Sequence, residues 1–187
     1  MGLKAGSWQS VPHVVGIDGH DGTGKTTIAK NIALRLGYSY RRPFGADAGP
    51  ELARAAASGD TDLVLSVGAR FLALAIQGAT KSAPVILDRS WLTVASLVDD
   101  GVFRERWTLW IPTILCWADL PTTLDRLGQR DEPEESTAYH LHYIRRYREI
   151  AEQLGCAIVD TSNQGEEVST EFTARIVLDL LGAPANG

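Results

Sequence analysis

The chain has 187 residues, 44% of them apolar and 22% charged, values that fit a globular protein of one domain with a substantial core. Its formal net charge of −5 argues against non-specific nucleic-acid binding, although a small anion answers to a local field and not to net charge. No apolar run approaches the roughly 20 residues that cross a bilayer, so no membrane partner is expected.

The opening MGLKAGSWQSVPHVV lacks the apolar middle and cleavage site of a signal peptide, and Gly6 breaks the myristoylation pattern. Residues 1–10 are expected to fray. Residues 11–18 (VPHVVGID) read as the first strand and 25–36 as the helix after it. A weaker strand follows at 38–41, then helices at 50–58 and 62–77 and a strand at 85–88 (VILD). A helix at 90–98, a strand at 113–118 (TILCWA) and a helix at 122–130 come next. The segment 138–154 carries Tyr143, Tyr147, Ile150, Ala151 and Leu154 at spacings of three and four, one face of a helix. A strand at 157–160 and a helix at 166–181 complete the chain before a frayed tail at 182–187. Several strands lack apolar/polar alternation, as strands covered on both faces do. Strands alternating with helices imply an α/β fold, with a parallel sheet of roughly five strands wrapped by helices. Cys116 and Cys156 lie on or beside apolar segments without metal-ligand spacing. Both are expected as buried free thiols, in keeping with a reducing cytoplasm.

Between the first strand and first helix, Gly19-His20-Asp21-Gly22-Thr23-Gly24-Lys25-Thr26 matches G-x-x-x-x-G-K-[ST] in full. A chance match in a chain of this length is on the order of one in a hundred. Glycines let the backbone turn tightly and aim N–H groups inward around phosphate oxygens, and the helix start adds its positive dipole end. Lys25 would reach the β- and γ-phosphates of ATP, and the Thr26 hydroxyl would ligate Mg²⁺. In VILDRS, Asp88 ends a strand where it can orient the metal, or it can cap the next helix. Arg89 beside it offers a guanidinium for phosphate. In DRLGQRDEPEES, Arg126 and Arg130 lie four apart on one helix face and enter a polar loop, a candidate lid over about 126–138. His20, His140 and His142 have no companion metal ligands in the sequence.

Together these segments resemble thymidylate kinases and the wider group of P-loop nucleoside and nucleoside-monophosphate kinases, over about residues 14–181. GIDGHDGTGKTT is similar to their phosphate loop, with Asp18 and Asp21 at its acidic positions and Thr27 closing it. RRPFGADAGP resembles their Arg-x-Pro segment, which puts Arg41, with Arg42 next to it, near the acceptor phosphate. LSVGARF resembles the helix whose arginine reads the base, here Arg70. VILDRS matches an Asp-Arg pair, Asp88 and Arg89, and Asp-Arg-Ser is closer still to the Glu-Arg-Ser of deoxynucleoside kinases. Gly22 stands where some members carry a loop arginine, so Arg126 or Arg130 would supply the catalytic guanidinium. Ser66 replaces the aromatic residue that stacks on the base, and SWLTVASLVDD lacks the Tyr-Gln pair that reaches the nucleoside. Phe44, Phe71 or Trp91 offers a substitute stacking face. The resemblance implies a three-layer P-loop fold with an arginine-bearing lid, and a possible homodimer.

The leading expectation is ATP–Mg²⁺ phosphotransfer to a nucleoside monophosphate, with dTMP as the default acceptor. A phosphate acceptor is already ionised near neutral pH and needs no strong base. The alternative is a kinase for a nucleoside or another small hydroxyl compound, with Asp18 or Asp21 as base. A third reading is a nucleotide-binding switch module, although no guanine-reading Asn-Lys-x-Asp string occurs.

Overall fold

The computed structural model describes residues 11–129 and 135–182. The frayed stretch expected at 1–10, that expected at 182–187 except Gly182, the lid residues 130–134 and with them Arg130 lie outside the described residues.

The first strand, β1 (Val14–Asp18), is buried along its whole length. Successive strand residues point to opposite faces, so a strand covered on both sides must be apolar throughout. Val14 packs into one core and Val15 into another. After β1 come α1 (Lys25–Leu36), β2 (Ser39–Arg41), α2 (Ala48–Ala57), α3 (Thr61–Ala75) and β3 (Val85–Asp88). Then follow α4 (Trp91–Ala95), α5 (Asp100–Arg106), β4 (Thr113–Trp117), α6 (Leu120–Gly128), α7 (Thr137–Gln153), β5 (Ala157–Asp160) and α8 (Glu166–Leu180). The five strands form one parallel sheet in the order β2-β3-β1-β4-β5.

Val15, Ile17, Ile86, Ile114 and Val159 meet Ile28 and Ile32 of α1 and Val177 of α8 on one face. Val14, Val85, Leu87 and Leu115 meet Leu52 of α2, Leu72 of α3, Leu92 of α4, Phe103 of α5 and Ile150 of α7 on the other. The result is the expected three-layer α/β fold. Its connections part at β1: this strand hands over to α1 on one face, while β3 and β4 hand over to α4 and to the α6–α7 pair. Open parallel sheets collect ligands at the carboxyl ends of strands at such a switch point. The register sets Ile17 beside Asp88, so Asp18 and Asp88 end neighbouring strands at that edge.

Local signals account for most of the boundaries. Asp60, Asp119 and Ser136 cap α3, α6 and α7 by accepting from the amides of Leu63, Thr122 and Tyr139. Beyond shifts of one or two residues at other ends, such as α6 stopping at Gly128 and not at residue 130, the structure departs from expectation at three places. β1 begins at Val14 and not at residue 11, because Pro12 and His13 form a turn. The helix expected over 90–98 stops at Ala95, where Leu97 and Val98 bond back only three residues, to Val94 and Ala95. An unexpected helix, α5, is set by Asp99, which accepts from Gly101 and Val102; seven residues are too few for a clear period. Cys116 and Cys156 are free, the first buried and the second half-buried, and burial pushes both thiols up to about 12, so neither is a reactive thiolate near neutral pH. No helix among the described residues is long and apolar enough to cross a membrane.

Candidate active site

The site grows from the turn between β1 and α1. Gly19 adopts φ 149°, and a Cβ there would meet the carbonyl oxygen of Cys116 at 2.2 Å. Gly22 adopts φ 78°, and a Cβ there would lie 3.0 Å from the Thr123 carbonyl of α6. The first position therefore requires glycine, and the second favours it. The Thr23 hydroxyl donates to the His20 carbonyl at 2.9 Å and stiffens the turn. Lys25 is buried, and its Nζ donates to the His20 carbonyl (3.1 Å) and to Asp21 Oδ1 (3.3 Å). Burial, aided by Arg89, pulls its ammonium down to about 8. The first turn of α1 has no side-chain cap, so its amides are available to an anion.

Two buried aspartates end the central strands, and they are held differently. Asp18 accepts from the amides of Gly19 (2.8 Å), Ser90 (2.7 Å) and Thr93 (3.0 Å) and from the Thr93 hydroxyl (2.8 Å). It thus caps α4 from the neighbouring strand end, and burial pushes its carboxyl above the usual carboxylate range. Expected at the substrate or as a base, Asp18 is instead a closed brace with no exposed surface. The helix-cap reading of Asp88 is likewise corrected: Asp18 caps α4, and Asp88 accepts from side chains. Its Oδ2 takes the hydroxyls of Thr26 (2.9 Å) and Tyr40 (2.7 Å), whereas Oδ1 is buried without a hydrogen-bond partner among the described residues. A buried carboxylate oxygen lacking a donor is what a cation or its water shell completes. The Thr26 hydroxyl spends its hydrogen on Asp88 and keeps its lone pairs. Thr26 and Asp88 therefore fit Mg²⁺.

On one flank of the loop lies a cleft of about 280 Å³ lined by His20, Asp21, Arg42, Phe44, Leu52, Arg89, Thr93, Tyr139, Tyr143 and Tyr147. Arg89, held at φ 77°, donates to Asp21 Oδ1 at 2.5 Å. Burial works against the charge of this guanidinium, but the Tyr147 oxygen and the carboxylates of Asp21, Asp18 and Asp88 keep it protonated. Burial would also raise Asp21; Lys25 and Arg89 outweigh it and hold the carboxyl well below the usual carboxylate range. His20 stacks on Tyr143, with centroids 5.8 Å apart, and its Nε2 lies 2.9 Å from His140 Nδ1 of α7. Burial foremost pulls its imidazole down to about 4, so both rings of the pair share one hydrogen bond at neutral pH with His20 uncharged.

On the other flank a cleft of about 400 Å³ is lined by Gly22, Thr23, Gly24, Thr27, Arg126, Thr161 and Gln164 among others. Arg126 is fastened there. It donates to the Gly22 carbonyl (3.1 Å), the Thr161 hydroxyl (3.1 Å) and the Thr161 carbonyl (2.7 Å). The Thr161 hydroxyl donates in turn to the Thr23 carbonyl at 2.9 Å. Arg126 therefore ties α6 to the loop and to the end of β5, and is not poised over the opposite cleft as a lid arginine.

Other expected residues sit elsewhere. Arg41 donates to the carbonyls of Ala75 (2.7 Å) and Gln77 (2.6 Å) and closes the end of α3. Arg70 is exposed, pairs with Glu51 and lies over the Phe71 ring. Ser66 is exposed and bonds to the Leu63 carbonyl of its own helix. Trp91 is a core residue whose indole N–H donates to the Ile111 carbonyl at 2.7 Å. These four do not line the cleft beside Arg89; of the expected stacking residues Phe44 does. Sequence reading passed over Tyr40, Thr161, Tyr139 and Tyr143. Thr161 follows β5, so the strand-end rule could have marked it. Tyr143 was visible as part of a helical face, but a stripe of that kind reads as core.

No protein-family model and no curated protein matches this sequence. Solved structures do match the fold. A deoxyadenosine kinase from M. mycoides with bound dATP superposes with a TM-score of 0.62 at 17% identity, covering 88% of this chain and 98% of that one. The same enzyme with the products dCMP and a flexible dCDP bound gives 0.60 at 16% identity, over 89% and 99%. The YorR protein of Bacillus subtilis, in complex with phosphorylated GDP, gives 0.56 at 14% identity, over 89% and 96%. The chain has the fold of the P-loop kinases.

Proposed function

We propose that this protein is an ATP-dependent phosphotransferase whose acceptor is a nucleoside monophosphate, dTMP being the first candidate. The loop amides and Lys25 take the donor phosphates, and the cleft of Thr27, Arg126, Thr161 and Gln164 takes the donor nucleoside. Thr26 and Asp88 hold Mg²⁺, which when bound neutralises charge on the phosphate oxygens. Arg42 and Arg89 take the acceptor phosphate, and Phe44, Tyr139 and Tyr143 offer flat apolar faces to the base.

The observation that carries this reading is the charge pattern beside the loop. Among the described residues the acceptor cleft presents two guanidiniums and one carboxylate, Asp21, which is paired to both Lys25 and Arg89. Such a carboxylate is a poor base for a hydroxyl, whereas a phosphate acceptor brings its own ionised oxygen and needs no base. Catalysis is then alignment of the two phosphates and stabilisation of charge on the transferred group by Lys25 and Arg89.

Transfer to an unphosphorylated nucleoside is the second reading. The fold shared with a deoxyadenosine kinase favours it, with Asp21 as base once substrate draws away its cations. Radiolabelled ATP offered with a panel of nucleosides and nucleoside monophosphates separates the two. Product is expected only from monophosphates, and turnover of nucleosides alone would overturn the first reading.

A further inference from the structure

Tyr40 belongs to β2 at the edge of the sheet, and nothing in its sequence context marks it. Its hydroxyl donates to Asp88 Oδ2 at 2.7 Å, on the same oxygen that accepts from Thr26 at 2.9 Å. Arg42 Nε stands 3.7 Å from that oxygen, beyond hydrogen-bond range, with its side chain 53% exposed. Among the described residues Oδ1 has no hydrogen-bond partner, and it is shielded from solvent. Two hydroxyls thus saturate one oxygen of a buried carboxylate and leave the other bare.

This distribution is not what an arginine next to a carboxylate tends toward. A guanidinium at that distance gains most by closing on both oxygens in a fork. The phenol blocks such closure by occupying Oδ2 from the β2 side. We propose that Tyr40 is a positioning residue for the metal: it fixes the rotation of the Asp88 carboxylate, keeps Arg42 off it, and so reserves Oδ1 for a divalent cation or its water. Groups that orient a metal's ligands in this way change metal affinity by roughly 10–100-fold when removed. The inference rests on the nucleotide-binding reading of the loop and adds to it a residue outside the phosphate motif.

Calorimetry with ADP, in Mg²⁺ and in EDTA, tests this without turnover. In the wild type Mg²⁺ should tighten ADP binding. Tyr40→Phe keeps the ring and removes the hydroxyl, so ADP affinity in EDTA should stay within about twofold while the gain from Mg²⁺ falls by roughly tenfold. Titration of Mn²⁺ by electron paramagnetic resonance, with ADP present, should register the same loss. Adding Arg42→Gln to Tyr40→Phe removes the competing guanidinium and should restore most of the gain. An unchanged Mg²⁺ gain in Tyr40→Phe overturns the proposal, as does an equal fall in both conditions, which marks a merely structural tyrosine. Absence of rescue by the second substitution overturns the part assigned to Arg42. A wild type that binds no ADP in either condition overturns the loop reading, and this inference with it.

Discussion

The two flanks of the phosphate loop each carry a guanidinium, and the partners of those guanidiniums separate their roles. Arg126 is bonded to a threonine hydroxyl and to the carbonyls of Gly22 and Thr161. These neutral acceptors have no reason to leave when an anion arrives. Arg89 is bonded to the carboxylate of Asp21, which also holds Lys25. A phosphate can replace that carboxylate, since it offers the same charge-assisted hydrogen bonds with more oxygens. One arginine is part of the frame, and the other is held ready by an anion that substrate can displace.

The contrast breaks most sharply at Arg89. Arg89→Ala should lower kcat/KM for the acceptor by roughly 10²–10³-fold, the usual cost of losing one transition-state donor, with the Kd for ADP within about threefold of wild type. Equal losses in acceptor use and ADP affinity would erase the distinction between flanks. Arg126→Ala should behave oppositely. Loss of its bonds between α6, the loop and the end of β5 should cost about 1–2 kcal/mol, a fall of roughly 3–6 °C in melting temperature, with weaker ADP binding and an unchanged KM for the acceptor.

Two smaller effects follow from titration on and beside the acceptor flank. His20 is pulled down to about 4 from its ordinary 6.5, chiefly by burial, so between those values the unfolded chain binds the proton and the folded one does not. Stability should therefore fall as pH drops from 6.5 to 4, by no more than about 3 kcal/mol. Asp18, whose carboxyl burial pushes up, acts in the opposite sense, so the comparison must be differential. Urea unfolding of His20→Gln should lose less stability than wild type between pH 7 and pH 4.5. The smallest effect concerns Lys25, pulled down to about 8 chiefly by burial. Bound phosphate favours the charged form and ADP is already fully ionised at pH 8.5, so its binding there should take up a fraction of a proton. Calorimetry in buffers of different ionisation enthalpy measures it; proton release at pH 8.5 would contradict the burial argument.

Much of the fold was legible because its signals are local. Buried parallel strands are continuous apolar runs, and the face of Tyr143, Tyr147, Ile150 and Leu154 repeats at helical spacing. The glycine loop was legible for the same reason: its chemistry is contained in consecutive residues. What failed to read correctly were polar side chains whose partners are distant in sequence. Asp18 looked like a substrate ligand, yet besides the adjacent Gly19 its donors are Ser90 and Thr93, which follow the neighbouring strand β3. Arg41 and Trp91 lay in promising motifs and turned to carbonyls of other elements. Tyr40 and Tyr143 had no motif at all.

The order of residues along the chain thus determined the sheet, its helices and the cradle for phosphate, because backbone turns, caps and apolar periodicity act between neighbours. Only the tertiary structure decided which of several aspartates and arginines would face the clefts. That choice depends on hydrogen bonds between strand ends and helices tens of residues apart, and on which side of the sheet each crossover takes.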